Sequence, residues 1–162
     1  MAIRATRQCV FDFLDGFYAG DVARVEACCG DDFFTLTHSP VEIFPHHGLK
    51  RGKAWIAEAI QTQQERFSER RYAPQFIAVD GLRASSISDV SLTKRNDGRV
   101  LHLAIAEFFV LSSGLIREHH IFLDSLDLLQ QLLGRDLSEP FATSVRIAMT
   151  PPPSDTPSGD VS

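Results

Sequence analysis

The chain has 162 residues, which suits a single domain, and its 44% hydrophobic and 23% charged residues are typical of an ordinary globular protein. Its formal net charge of −5 argues against a nucleic-acid partner, because a phosphate-binding surface needs clustered Lys and Arg. No run of about 18 apolar residues is present, so no membrane span is expected. The three cysteines are an odd number and do not form a disulfide framework, which indicates a cytoplasmic protein with small, buried thiols.

The first part of the chain is predicted to be helical. Apolar residues at helical spacing run from Val10 to Tyr18, Gly20 ends this helix, and Asp21 can cap a second one. A third helix is predicted to present one apolar side from Trp55 to Phe67.

Strand signals dominate the later part of the chain. Residues 33–38 have strand composition, residues 41–44 are a candidate short partner strand, and residues 45–52 are predicted to form a loop. Four further strands are predicted between glycine-containing turns, at residues 72–79, 84–94, 99–111 and 115–123. A last helix is predicted from about Asp124 to Leu133, with Gly134 as its stop.

Helices gathered early and hairpin strands gathered late indicate an α+β fold, not an alternating α/β one. We expect one pocket domain over residues 1–135 and a C-terminal extension over residues 136–149. The tail, residues 150–162, is rich in proline and serine and is expected to be disordered, because its composition cannot bury a core.

The strand predicted at residues 99–111 is apolar on both faces, so both faces need a cover. One face is assigned to the cavity because its small residues leave room for a ligand, and it carries His102, Ala104, Ala106, Phe108 and Val110. The other face is assigned to a homodimer contact, with Glu107 pairing across it, and carries Leu103, Ile105, Phe109 and Leu111.

Several short motifs resemble the nuclear transport factor 2-like superfamily. They are Phe17-Tyr18-Ala19-Gly20-Asp21, Asp31-Asp32-Phe33 and Gly52-Lys53-Ala54-Trp55-Ile56. The run from Gly114 to His120, continuing to Asp124 and Leu128–Leu132, resembles its SnoaL-like branch. The resemblance covers about residues 5 to 135. It implies a cone-shaped fold, with a bent sheet around the helices, a pocket inside, and dimers packed through the sheet.

The superfamily includes ketosteroid isomerase, SnoaL-like polyketide cyclases and limonene epoxide hydrolase, so the fold does not settle the chemistry. Counting along the motifs places the isomerase's tyrosine, base and second acid at Phe13, Thr37 and Ala106. The epoxide hydrolase's arginine and aspartate fall on Ala104 and Ala106, and only its last acid has a loose match, in Asp124. Neither chemistry transfers. The cyclases' acid/base region, where His119 and Asp124 stand, leaves that branch open.

The strongest candidate for proton transfer is His119, expected to face the cavity with Arg117 and opposite His120. The alternative is a structural histidine, bonded to a backbone carbonyl or placed at the dimer face of the sheet. A second candidate is His38, unless its neighbour Thr37 faces the cavity instead. Asp124 either orients a histidine or caps the last helix. Arg117 either binds an anionic ligand or pairs with a surface acid. The expected walls are Phe13, Phe17, Trp55 and Phe108, beside the three small or polar residues His102, Ala104 and Ala106.

Two functions fit these residues. The first is a cofactor-free enzyme, an isomerase, cyclase or hydratase, that moves a proton on a small apolar carbonyl compound. The second is a domain that binds a small apolar or amphipathic ligand, or assembles as a dimer, without chemistry. No metal site is expected, because the adjacent pairs His46-His47 and His119-His120 lack the spacing of metal ligands.

Overall fold

The computed structural model describes residues 2–151, which contain five helices and six strands. The helices are α1 (Ala2–Ala19), α2 (Val22–Ala27), α3 (Ala54–Arg66), α4 (Ser125–Leu133) and α5 (Ser138–Met149). The strands are β1 (Cys29–His38), β2 (Gly48–Arg51), β3 (Phe67–Asp80), β4 (Arg83–Lys94), β5 (Val100–Ser112) and β6 (Leu115–Phe122). Most of the tail predicted to be disordered, residues 152–162, lies outside the described residues.

All six strands form one curved sheet in the order β2-β1-β6-β5-β4-β3. β1 and β6 are parallel, and the other neighbouring pairs are antiparallel. Helix α1 packs across the inner face, where its residues Val10, Phe13 and Leu14 are buried against Phe109 and Ile116 of the sheet. The α+β class is confirmed.

Helix ends follow the local sequence signals. Gly20 has a positive φ of 81° after α1, and the Asp21 carboxylate accepts a hydrogen bond of 3.0 Å from the backbone N–H of Arg24. The Asp124 carboxylate accepts one of 2.9 Å from the N–H of Asp127 at the start of α4. Gly134 ends α4 in the left-handed conformation. These caps satisfy amide groups that a helix end otherwise leaves unpaired.

The predicted strand at residues 41–44 is wrong. The backbone N–H groups of Ile43 and Phe44 both donate to the carbonyl of Pro40, which closes a turn and removes these residues from strand pairing. The antiparallel partner of β1 is β2, within the segment predicted as a loop.

The face assignment on β5 is also wrong. Leu101, Leu103, Phe109 and Leu111 are buried against the helices, whereas His102, Ala104 and Phe108 lie exposed on the outer face. Both faces are apolar in sequence, so the alternation alone could not decide which one meets the helices. The patch of Leu103, Ile105 and Phe109 expected to drive dimerisation is therefore internal.

Helix α5 falls in the predicted C-terminal extension. None of its side chains is buried, and Phe141, Val145, Ile147 and Met149 are all more than half exposed. Within residues 2–151, no helix is long and apolar enough to cross a membrane.

The corrected face of β5 predicts a large difference between two alanine substitutions on that strand. Phe109→Ala should lower the free energy of unfolding by about 3–5 kcal/mol, because it empties a fully buried site. His102→Ala, on the outer face, should change it by less than about 0.5 kcal/mol. Urea unfolding followed by circular dichroism measures both, and a larger loss at residue 102 would restore the original assignment.

Candidate functional site

A cavity of about 540 Å³ lies between the inner face of the sheet and helices α1, α3 and α4. This volume is within the range of small-molecule sites. Its wall is mostly aromatic and aliphatic, and includes Phe13, Leu14, Phe17, Phe33, Trp55, Ile56, Leu92, Leu103, Ile105 and Leu128. At the inner end of the cavity, which lies against the sheet, a small group of polar side chains interrupts this wall. It includes Glu107, His119 and Thr35.

The central polar contact joins Glu107 of β5 to His119 of β6. The distance between Glu107 Oε2 and His119 Nε2 is 2.6 Å, and the two residues are only 4% and 5% exposed. On the other side of the ring, His119 Nδ1 lies 3.3 Å from the hydroxyl of Thr35 on β1. The three side chains therefore form one chain of hydrogen bonds across three neighbouring strands.

The proton positions follow from the partners of each ring nitrogen. An ionised carboxylate only accepts, so Nε2 of His119 carries the hydrogen and donates a hydrogen bond to Glu107. In the neutral ring, Nδ1 then accepts from the hydroxyl of Thr35. Phe109 stacks on the His119 ring at 4.7 Å between centroids, and Phe13 meets it edge-on at 4.9 Å. The ring is thus fixed in plane and in rotation.

A β-bulge at Arg117 decides which residues of β6 face inward. Val110 pairs with Glu118, but Leu111 pairs with Ile116, so Arg117 has no partner on β5. The extra residue shifts the alternation, so both Ile116 and His119 point inward although three positions separate them. Arg117 points outward and pairs with Asp32 at 2.8 Å, contrary to its expected place beside His119.

A tyrosine on α1 completes the polar end of the cavity. Tyr18 lines the wall and stacks on Tyr72 at 4.6 Å. Burial raises the pKa of Tyr18 well above its usual value, and the nearby charge of Glu107 raises it further. The phenol therefore stays protonated at neutral pH. Its hydroxyl has no hydrogen-bond partner within residues 2–151, so it is available as a donor to a ligand.

The strand beside Glu107 also carries buried hydroxyl groups. Ser86 lies directly opposite Glu107 in the β4–β5 register, and Ser88 follows two residues later on the same face. Both are at most 1% exposed, and neither hydroxyl finds a partner among the described residues. Because an unpaired buried hydroxyl costs free energy, these groups mark the region around Glu107 as polar.

The structure brings only some of the predicted site residues together. Phe13, Phe17, Trp55 and His119 line the cavity, and so does Thr37, the alternative to His38. His38 points to the outer face, where Nε2 lies 3.3 Å from His120 Nδ1 and the ring stacks on Phe122. Asp124 is exposed and caps α4. His102, Ala104, Ala106 and Phe108 do not line the cavity, so their assignment to its wall is corrected.

Two residues of the site are not predicted from the sequence. The pattern of β5 predicts Glu107 on the outer face, yet Glu107 is one position beyond Ala106, where the motif count puts an acid. A single carboxylate inside a strand of apolar residues was the available signal, because such a group needs a buried partner. Tyr18 was recognised only as part of a motif and of an apolar stripe. No group of three metal-ligating side chains occurs in the part of the chain that the structure describes.

Comparison with known proteins assigns the chain to a family. The model of the SnoaL-like domain matches residues 10–119, which is more than half of the sequence. The chain belongs to the SnoaL-like domain family. No curated protein matches it.

Solved structures of the nuclear transport factor 2-like type share the fold. An NTF2-like protein of unknown function from Burkholderia pseudomallei K96243 is 19% identical, with a TM-score of 0.71 over 78% of this chain and 96% of that one. An LEH-like epoxide hydrolase of M. tuberculosis is 18% identical, with a TM-score of 0.67 over 86% and 98%. A provisionally assigned SnoaL-like polyketide cyclase from Jannaschia sp. CCS1 is 13% identical, with a TM-score of 0.71 over 83% and 96%. At these identities the likeness shows the fold alone, and it confirms the expected α+β fold of the nuclear transport factor 2-like type.

The two tyrosines of the chain should titrate at a higher pH in the folded protein than in the unfolded chain. The pKa of Tyr72 is also raised, by burial and by the hydrogen bond that its hydroxyl donates to Asp15, so both tyrosines should titrate above the ordinary value of 10.0. The native protein should therefore show less than half of its tyrosine as tyrosinate at pH 10, measured by ultraviolet absorbance. The urea-unfolded chain should titrate near that pH and serves as the control.

The same shift fixes the sign of the pH effect on stability. Because the folded-state pKa is raised, the folded protein holds protons that the unfolded chain releases, and stability should fall as the pH rises above about 10. Native and unfolded titrations that coincide would contradict the buried placement of these phenols.

Proposed function

We propose that the cavity is the active site of an enzyme that moves a proton on a carbon atom next to a carbonyl group. Isomerases, cyclases and hydratases carry out steps of this kind on small, mostly apolar molecules. The observation that supports it is the buried 2.6 Å contact between Glu107 and His119 on the wall of an apolar cavity. Burying a carboxylate costs free energy, so the position of Glu107 beside a ligand-sized space favours a chemical role.

Glu107 is the base in this proposal. Its Oε2 atom is held by His119, whereas Oε1 has no hydrogen-bond partner within residues 2–151 and is free to meet a substrate. Glu107 takes the proton from the carbon atom, and the electron pair of that C–H bond moves toward the carbonyl oxygen. The Tyr18 hydroxyl donates a hydrogen bond to this oxygen as negative charge develops there. Glu107 then returns the proton to another atom of the product.

His119 is a positioning residue in this mechanism. Both of its ring nitrogens are engaged, one by Glu107 and one by Thr35, so the ring orients the carboxylate without touching the substrate. The sequence pattern predicts proton transfer by His119 itself. The geometry favours its hydrogen-bond partner, because only Glu107 keeps an acceptor atom available to the cavity.

The alternative is a ligand-binding pocket without chemistry. It is favoured by the two hydrogen bonds of His119, which engage both ring nitrogens. A chain of hydrogen bonds that joins three strands can also serve only to stabilise the sheet. Either way, we propose a small apolar or amphipathic ligand. The three free thiols support a cytoplasmic location.

A reaction that needs only a base in an apolar site separates the two functions. Removal of the C3 proton of 5-nitrobenzisoxazole breaks its N–O bond and releases a coloured nitrophenolate, so the rate can be followed by absorbance. We expect the protein to accelerate this reaction and Glu107→Gln to lower the rate on the order of 10²-fold, as for the loss of a general base. The variant keeps the shape of the side chain but cannot take the proton.

The control is Asp124→Ser, which removes the other carboxylate candidate but retains a helix-capping side chain, and it should keep the full rate. His119→Ala should lower the rate and also destabilise the protein by about 1–3 kcal/mol, because Glu107 and Thr35 lose their partner. No acceleration by the unmodified protein, or an unchanged rate in Glu107→Gln, would leave the non-catalytic alternative.

We also propose a homodimer that packs through the outer face of the sheet, on residues other than those first expected. Phe76, Ile87, Ala106 and Phe122 are successive cross-strand partners on four neighbouring strands. The three large residues in this row are 37–48% exposed, and Phe108, 48% exposed, packs edge-on against Phe122. An exposed apolar row of this length is typical of a protein–protein contact.

Ile87→Lys should dissociate the dimer, because it puts a charge at the centre of the row. Sedimentation velocity at micromolar concentration should give a dimer for the unmodified protein and a monomer for the variant. Leu82→Lys is the matched control, since Leu82 is 50% exposed in the turn after β3 and outside the row. A monomeric unmodified protein would contradict the proposal.

A further inference from the structure

The entrance of the cavity is positively charged although the whole chain has a net charge of −5. The exposed part of the lining lies where the end of α3 meets the β4–β5 turn. Three cationic residues line the cavity there, Arg66, Lys94 and Arg95, together with one acid, Glu65. The remaining charged residue of the lining, Glu107, is buried at the polar inner end.

Two of these cations lack a counter-ion. Lys94 is neutralised, because its ammonium group lies 2.9 Å from Asp97. Glu65 accepts a hydrogen bond of 2.8 Å from Gln61 along α3. Neither Arg66 nor Arg95 forms an ion pair with a carboxylate within residues 2–151.

The backbone holds these two arginines side by side. The N–H of Arg95 donates to the carbonyl of Arg66 at 2.9 Å, which places the two residues next to each other on adjacent chain segments. The Nε–H of Arg95 donates a hydrogen bond of 2.7 Å to the carbonyl of Gln64. The terminal nitrogens of Arg95 take no part in this contact. Guanidinium groups carried on adjacent segments can approach one anion together, which relieves their mutual repulsion, and their planar N–H groups match the oxygens of such an anion.

A histidine of the cavity lining is close enough to one of these cations to be affected by its charge. His46 and His47 line the cavity from the segment after β1, and Phe44 stacks on His47 at 5.1 Å. The pKa of His47 is lowered, first by burial and then by the positive groups His46, Arg66 and Lys50. The charge of Arg66 therefore acts on His47.

We propose that the entrance binds the anionic group of an amphipathic organic anion, with Arg66 and Arg95 as its contacts and with the apolar body of the ligand inside the cavity. This assignment deepens the proposed function, on which it rests for the reactive carbon near Glu107. The anion contact itself needs no turnover, so it can be measured separately. A neutral molecule of the same shape would fill the cavity but would lack the charged contact with Arg66 and Arg95 at the entrance.

A matched pair of fluorescent probes tests this preference. 8-Anilinonaphthalene-1-sulfonate and N-phenyl-1-naphthylamine have the same aromatic body, but only the first carries an anionic group. Trp55 lines the cavity and is the single tryptophan of the chain, so energy transfer from Trp55 reports binding at this site. We expect the anionic probe to bind at least about tenfold more tightly, which corresponds to about 1.4 kcal/mol.

The double variant Arg66→Gln, Arg95→Gln should lose most of this preference and keep its affinity for the neutral probe. Arg71→Gln is the control, because Arg71 is 73% exposed in its side chain, pairs with Glu69 and lies outside the lining. Equal affinities for the two probes, no binding of the anionic probe, or an unchanged preference in the double variant would overturn the proposal.

The variant Glu107→Gln separates this proposal from the proposed function. It should retain the preference for the anionic probe while losing the elimination activity. If Glu107→Gln retains the elimination rate and the double arginine variant loses the anion preference, the catalytic role of Glu107 is rejected and the entrance site is supported. If Glu107→Gln loses the elimination rate and the double arginine variant keeps the anion preference, only the entrance site is rejected.

Discussion

The hydrogen bond between Glu107 and His119 is the interaction on which the rest of this structure depends. A carboxylate that is 4% exposed must find a strong partner, and leaving a buried hydrogen-bonding group without its partner costs about 1–3 kcal/mol. Total stabilities of domains are about 5–15 kcal/mol, so this contact constrains the register of the whole sheet. Helix α1 closes over it through Phe13 and Tyr18, and the cavity remains beside it.

The β-bulge at Arg117 is what makes that hydrogen bond possible. Without the extra residue, strict alternation from the buried Ile116 would turn His119 outward and His120 inward. With it, Phe109 lies opposite His119, and Glu107 lies diagonally beside it on the same face. The bulge also frees Arg117 to pair with Asp32 at the surface. One inserted residue thus determines both the polar end of the cavity and the outer histidine pair.

The cavity combines a charged entrance, an apolar body and a polar inner end. This order suits a molecule with an anionic group, an apolar body and a reactive carbonyl group. Membership in the SnoaL-like domain family supports a small-molecule cavity but leaves the chemistry open, because the family's fold serves several reactions. The distinguishing groups are Glu107, Tyr18 and the two arginines Arg66 and Arg95.

Local chemistry determined much of this protein from the sequence alone. Helical spacing in α1, the caps Asp21 and Asp124, the stop at Gly134 and the glycine-containing hairpins were predictable, because each depends on residues a few positions apart. The inward position of His119 was also predicted. The faces of β5, the pairing of β1 with β2, the burial of Glu107 and the pairing of Arg66 with Arg95 were decided only by the tertiary structure. Each of these depends on register between distant segments, and a strand that is apolar on both faces carries no signal for which face meets the helices.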